Sequence, residues 1–478
     1  MSAPAGGSIG TGGTGVPASD AAGIGSGGAS GAAPGAGSGG MPSGSGAAAG
    51  AGGSGGADGS MPAGSGGTAA NATTGSAKFD VHIELASDVD PAAPGTIGIV
   101  TWSVDVDGLI GAYLEFGLDT TYGTKAPVDL SLADHRTLLL GMKPSRTYHV
   151  RVVAMDGAAT YASDDYTVET GPPTDLVTVS DFHVVDAAAR EPGFIVASHR
   201  QNSSVAFILD PDGEVVWWYA GGPNGIARAR MSEDGQSMWI AISGNVGAPL
   251  VRVSMDTLQA QTYQNTVASH DITPVGGATM AYIDYSETDC NSIYEIDPSG
   301  TTHEVFESQG VVSATAGALG CHGNALRYSK KEDVYTFSDL NQDVLVVGRD
   351  GSVQWRLSER VSGGNAAWGG EQHGHQLLDD SMLIFANSGA GTSASAAIEY
   401  DLDGNELKRF PSGGFTANLG DVQRLPGGNT LITYSNDSLI QEVDAQGNLV
   451  LEVRVDGSSL AYSLWRESLY GPPPDILQ

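Results

Sequence analysis

Phe207-Ile-Leu-Asp210-Pro-Asp-Gly213-Glu-Val-Val-Trp217 decides the fold, because its pattern of apolar run, Asp, polar turn and second apolar run recurs along the chain. The other instances are Arg252-Val-Ser-Met-Asp256, Ile293-Tyr-Glu-Ile-Asp297-Pro-Ser-Gly300, Val346-Val-Gly-Arg-Asp350-Gly351, Ile398-Glu-Tyr-Asp401-Leu-Asp-Gly404 and Gln441-Glu-Val-Asp444-Ala-Gln-Gly447. Successive Asp positions are 46, 41, 53, 51 and 43 residues apart. A period in the forties with about four short strands per unit is the mark of a β-propeller, and six repeats predict six blades. Asp-Gly is an ordinary hairpin signal, and the turns at Asp210, Asp401 and Asp403 lack the further carboxylates of a calcium loop.

Three histidine motifs open strands of this array: Ser269-His270-Asp271-Ile272, Cys321-His322-Gly323-Asn324 and Gln372-His373-Gly374-His375-Gln376. The chain has ten histidines, so three at one repeat position point to a shared role. In a propeller the innermost strand of each blade runs along the central channel, which sets all three at one mouth. The register across the repeats gives Asp181, Ala227, His270, His322, His373 and Asp421 as counterparts. Cys290, in the turn between the second and third strands of its blade, and Cys321 fall on the same face. A disulfide and a pair of buried thiols are the alternatives there, the first implying an oxidising compartment. Three readings of the histidines stand open: strand-initial caps, a metal site completed by Asp271 or Asp421, and covalent catalysis with one imidazole as nucleophile.

Residues 1–76 are almost entirely Gly, Ala, Ser, Pro and Thr, with too little apolar surface to offset ordering entropy, so a disordered tether is expected. The formal charge of −33 disfavours a nucleic-acid partner, which needs clustered Lys and Arg. No apolar run reaches membrane-span length and no secretory h-region is visible at the start. The tether resembles the spacer behind the lipid-anchored cysteine of bacterial surface lipoproteins, so an extracytoplasmic, surface-tethered protein is expected. Residues 77–172 alternate in the strand manner, and Tyr113-Leu-Glu-Phe-Gly117 with Leu140-Gly-Met-Lys-Pro-Ser-Arg-Thr-Tyr148 resembles a fibronectin type III domain. That likeness implies a small β-sandwich serving as a spacer or adhesion module, joined by Glu169-Thr-Gly-Pro-Pro173 to a propeller over 176–478. The fold class is thus all-β.

His270-Asp-Ile272, His322-Gly-Asn324, Gln372-His373 and the closing Tyr462-Ser-Leu-Trp-Arg466-Glu-Ser-Leu-Tyr470 together resemble the bacterial arylsulfotransferases that use no nucleotide sulfate donor. Members of that family carry a six-bladed propeller behind an N-terminal sandwich. The likeness implies transfer of a sulfuryl group from an aryl sulfate to a phenol by a ping-pong route, without a cofactor or metal. It makes His373 the nucleophile, and gives His270 and His322 the sulfuryl oxygens and the phenolic proton. Asn324 is then a candidate substrate contact. The family's sulfate-binding arginine is missing: the matching stretch reads Thr336-Phe-Ser-Asp339-Leu-Asn341-Gln342, and an Asp there would repel a sulfate ester. Arg200, placed in the same-face loop of the first blade, and His375, two residues beyond His373, are the candidate replacements. Asp271 and Asp421 are expected to hold one imidazole charged. A propeller that only binds a ligand or protein at this mouth, and a metal-dependent hydrolase, are the alternative functions.

Overall fold

The computed structural model describes residues 73–200, 204–221, 225–242, 247–286, 290–312, 321–340, 342–387, 394–457 and 459–471. Most of the expected tether, residues 1–72, lies outside the described residues. The boundary expected at residue 76 moves, because Thr73–Thr74 already pairs in parallel with Ala159–Ala162.

Two sheets make the N-terminal sandwich. Phe79–Leu85, Gly98–Val104 and Thr137–Leu139 form one, and strands centred on Gly111–Gly117 and Thr147–Met155 form the other. Trp102, Leu114, Phe116, Val150 and Val152 fill the space between them. Tyr148 sits at the start of its strand and accepts the Lys143 N–H on its hydroxyl at 2.9 Å, a corner that locks the entry into that strand.

The sandwich is no loose spacer. Ala86, Ile97, Ile99, Leu138 and Leu140 share one buried core with Val216, Trp217, Met238 and Leu464 of the propeller. Burying each large side chain of such a core stabilises by about 1.5–3 kcal/mol, so this contact fixes the sandwich rather than tethering it. Polar pins reinforce it: Thr96 Oγ1 donates to Val216 O at 2.7 Å, and Lys143 pairs with Asp210, Asp212 and Glu214. The residues read as a linker are likewise fastened, since Gly171 N donates to Gly95 O at 2.8 Å.

The propeller has six blades. Two of them are joined by one 17-residue strand, Ala260–Gly276, which is the outer strand of the second blade and then the inner strand of the third. The first blade takes its innermost strand from the other end of the chain: Leu464–Arg466 pairs with Phe194–Ser198. This corrects the placement of Asp181. Its strand, Val179–Val184, adds to the outside of the last blade by pairing with Leu449–Val455, so Asp181 is exposed and away from the channel. Ring closure by the two chain ends is the physical reason, since it shifts which segment starts the first blade.

The repeated Asp is a turn cap. Asp210 Oδ1 accepts the N–H groups of Asp212 and Glu214, Asp297 Oδ1 those of Ser299 and Thr301, and Asp444 Oδ1 those of Gln446 and Asn448. These carboxylates close their own hairpins. By strand direction the Asp turns lie on the face opposite the histidines. The sandwich docks there through Asp210 and, by the Arg136 ion pair, Asp256, which leaves the histidine mouth uncovered by it.

Candidate functional site

In four blades the pairing of the innermost strand slips close to the mouth: between Ile226 and Arg228, Ala268 and Ile272, Gly323 and Ala325, and Gln372 and His375. A β-bulge re-aims side chains and interrupts the ladder, so the same device turns polar groups into the channel blade after blade. His270 sits in one of these bulges with φ +62°, uncommon backbone for a residue with a Cβ and of the kind that gathers at functional sites. The glycine after each of the other two histidines is demanded by crowding. A Cβ on Gly323 would lie 2.5 Å from the Phe337 ring, and one on Gly374 would lie 2.0 Å from Asp421 Oδ1.

His270 and His322 are in contact, and His373 lies within electrostatic reach of both. The His270 and His322 rings meet edge to face with centroids 4.7 Å apart, and Tyr285 stacks on His270 at 5.3 Å. All three imidazoles are nearly buried, 4–7% exposed. The Cys290–Cys321 disulfide, with Cα atoms 4.8 Å apart, anchors the residue just before His322. It resolves the sequence alternatives in favour of a bond.

His373 has a defined tautomer. Its Nδ1 lies 2.6 Å from Asn387 Oδ1, while the Asn387 amide nitrogen donates to Thr416 O at 3.1 Å and Leu419 O at 2.7 Å. Those two carbonyls fix which end of the amide faces the ring. The imidazole Nδ1 must therefore carry the proton and donate, which leaves the lone pair on Nε2. Burial pushes His373 down to about 3; the Asn387 bond resists, and the His322 and Arg200 charges push the same way as burial. Burial holds His322 at about 4, and burial with His322, His373 and Arg200 holds His270 well below its usual value. Arg200 lies half-buried in the expected loop with its backbone N–H on Ser459 O, and its charge is felt by His270 and His373. Asp339 accepts the His322 backbone N–H at 2.9 Å, and burial raises its carboxyl to about 7. Its carboxyl is accordingly only partly ionised near neutral pH.

Beneath the mouth lies an ion network whose arginines the motifs did not reveal. Arg228 donates Nε to Asp271 Oδ1 at 2.7 Å and Nη1 to Asp421 Oδ2 at 2.8 Å. Arg327 reaches the same two carboxylates, Asp271 at 2.9 Å and Asp421 at 2.7 Å. Arg228 also lies over the Tyr462 ring, 4.3 Å from its centroid. This corrects two expectations. The channel residue of the second blade is Arg228, one place beyond Ala227, because the bulge shifts the register. Asp271 and Asp421 do not hold an imidazole charged. They are neutralised by arginines, and Asp271 is held at about 2 despite its burial.

The other two candidates point inward. His375 Nε2 lies 2.9 Å from Thr336 Oγ1, and burial then Arg327 lower it to about 4, beside the ion network rather than at the mouth. The bulge between Gln372 and His375 breaks the simple alternation that had set both histidines on one face. Asn324 donates to Gln372 O at 2.7 Å, and its own carbonyl receives the Tyr462 hydroxyl at 2.6 Å, so it braces neighbouring inner strands. Among the described residues no three His, Cys, Asp or Glu side chains are grouped as a metal set. Nor is any helix there long and apolar enough to cross a membrane. Arg in an apolar inner strand, as in Ile226-Ala-Arg-Ala-Arg-Met231, was the available signal for the buried network.

The fold and site define a six-bladed propeller with an imidazole cluster at one channel mouth and an ion network inside. No family model matches the chain, and no curated protein matches it. Among solved structures it is similar to TolB from Acinetobacter baumannii, at 12% identity and TM-score 0.42 over 68% of this chain and 80% of that one. It is also similar to the WD40 β-propeller domain of Doa1, at 11% identity and TM-score 0.38, over 59% and 84% of the two chains. A virginiamycin B lyase from Staphylococcus aureus, solved with quinupristin, gives 12% identity and TM-score 0.38 over 57% and 87%. These likenesses concern the propeller fold alone.

Proposed function

We propose that the protein transfers a sulfuryl group from an aryl sulfate ester to a phenol through a sulfohistidine on His373. The observation that carries this reading is the His373–Asn387 bond, which leaves a neutral imidazole with its Nε2 lone pair unprotonated across the physiological range. A nucleophile needs that state, and an orienting partner on the far nitrogen is the usual way to hold it.

The steps balance as follows. His373 Nε2 attacks sulfur in line with the aryl oxygen; the N–S bond forms as the S–O bond breaks, and the phenolate leaves with a proton from His322. The acceptor phenol then returns a proton to His322 as its oxygen attacks sulfur and the N–S bond breaks. His322 titrates at about 4 without ligand. An anionic ester beside it raises that value, because an opposite charge favours the imidazolium. Arg200 offsets the charge of the sulfuryl oxygens, in the role that the missing arginine fills in the family. The raised Asp339 carboxyl is partly protonated near neutral pH, which lessens the repulsion that its position implies. The disulfide fits an extracytoplasmic setting.

The test is release of nitrophenol from 4-nitrophenyl sulfate with and without phenol. Acceptor-stimulated release that His373→Ala abolishes, with an acid-labile sulfonate on His373 by mass spectrometry, is the expected result. Absence of both turnover and sulfonate on the folded wild-type protein sinks the reading and leaves a ligand-binding mouth.

A further inference from the structure

Deeper in the channel, positive charge exceeds negative. Arg228, Arg230 and Arg327 are buried on the inner strands, and Asp271 and Asp421 are the carboxylates paired with them. Both carboxylates are shared between Arg228 and Arg327, so three guanidiniums less two carboxylates leave one positive charge. It resides on Arg230, 1% exposed. Arg230 Nε donates to Ile272 O at 3.0 Å, but its Nη2 stops 3.8 Å from Asp271 Oδ1 and has no hydrogen-bond partner among the described residues. A guanidinium does not lose its proton in proteins, and a buried charge with an unmet donor is costly unless something answers it.

A second unmet group follows on the strand that Arg230 bonds. Ile272 packs into the apolar layer between blades, so the regular pairing from Ile272 onward turns Thr273 to the opposite side, while Asp271, within the bulge, reaches Arg228 and Arg327. Thr273 Oγ1 is buried and also without a partner among the described residues. It follows directly on the Ile272 carbonyl that Arg230 holds. Two buried, unmet polar groups therefore adjoin the Ile272 carbonyl, where one elementary charge is unbalanced.

We propose that Arg230 and Thr273 form a binding site for one small inorganic monoanion of halide size, separate from the imidazole mouth. A monoanion balances the charge, whereas water would accept the hydrogen bonds and leave the charge in place. A dianion such as sulfate would overcompensate. The site is a permanent part of the channel scaffold: the anion lets Asp271 serve Arg228 and Arg327 without being drawn to Arg230.

The experiment uses the full chain crystallised from sodium bromide, with diffraction recorded at the bromine edge. An anomalous peak against Arg230 Nη2 and Thr273 Oγ1 is expected; an ordered water or an empty map at that point overturns the proposal. Melting in chloride against gluconate at equal ionic strength gives the second measurement. The wild type should melt ~2–4 °C higher in 0.1 M chloride, as binding to the folded state alone requires. Thr273→Val, which keeps the side-chain shape, should lose at least half of that shift, and Arg230→Met should lose all of it. An equal chloride shift in wild type and Thr273→Val overturns the site even if Arg230→Met does not fold.

Discussion

His270 and Asp271 are neighbours in sequence, yet they belong to layers of the channel built on opposite electrostatic rules. At the mouth, buried imidazoles bond to neutral groups, Ser269 and Asn387, and burial keeps them uncharged. One residue deeper, full charges meet full charges, with Asp271 and Asp421 each bridging Arg228 and Arg327. An ion network of this kind is expensive to break, because removing one partner strands the others in low dielectric. A neutral imidazole with a free lone pair is cheap to remove and chemically available. The inner layer is therefore the clasp that ties four inner strands together, and the outer layer is where chemistry is possible.

The harshest test of that division is Asp271→Ala. It leaves Arg228 and Arg327 with Asp421 as their single shared carboxylate and should lower stability by about 3–5 kcal/mol, measured by urea denaturation. His270→Ala, at the adjacent position, should cost less than about 2 kcal/mol while removing activity. Equal losses in the two variants would break the comparison. Next in size is the covalent brace of the mouth. Replacing Cys290 and Cys321 together by Ser should cost about 2–4 kcal/mol, since the bond closes a loop of sequence separation 31. Denaturation of the wild type with and without reductant should reproduce that difference, and the double variant should be indifferent to reductant.

How much of this was legible in the sequence follows the same division. The Asp turns showed the six blades because each turn is local, and its carboxylate caps N–H groups two to four residues on. The histidine mouth was legible because the motifs recur at one place in a repeat. Ring closure was not, since Leu464–Arg466 completes a blade whose other strands lie more than 240 residues earlier, and no local pattern records that pairing. The ion network was hidden for a related reason: Arg228, Asp271, Arg327 and Asp421 come from four blades and share no spacing. Asn387 was invisible too, because a lone Asn past the end of a strand carries no signal until its carbonyl partners are known.

Asn387 supplies the next test, on rate rather than on stability. Asn387→Ala frees the His373 ring to take either tautomer and should lower kcat about 10–100-fold with KM little changed. Asn387→Asp distinguishes tautomer control from simple loss of packing. A carboxylate against Nδ1–H keeps the same tautomer but favours the imidazolium, so His373 rises from its value of about 3. The acid limb of the kcat profile should then move to higher pH, while activity at pH 8 stays close to wild type. A uniform loss across the pH range in both variants would reduce Asn387 to a packing role.

The smallest effect separates two groups in direct contact at the mouth. His322 is held at about 4, below its unfolded value of 6.5, so the unfolded chain binds the extra proton first and stability falls as pH drops from about 6.5 towards 4. Asp339, whose Oδ2 accepts the His322 N–H, titrates at about 7 against 3.8 when unfolded. Its sign is reversed: the folded state keeps the proton longer, and stability is lost as pH rises from about 4 through 7. The two limbs share nearly one pH window with opposite signs, so together they largely cancel, and substitution exposes them one at a time. Asp339→Asn preserves an oxygen for the His322 N–H and cannot ionise, so it should remove only the Asp339 decline, about 2–3 kcal/mol between pH 5 and pH 8, and leave the His322 rise with pH. Denaturation midpoints at those two pH values decide it. An unchanged alkaline slope would mean that Asp339 is already ionised at neutrality, and that the mouth carries a fixed negative charge beside His322.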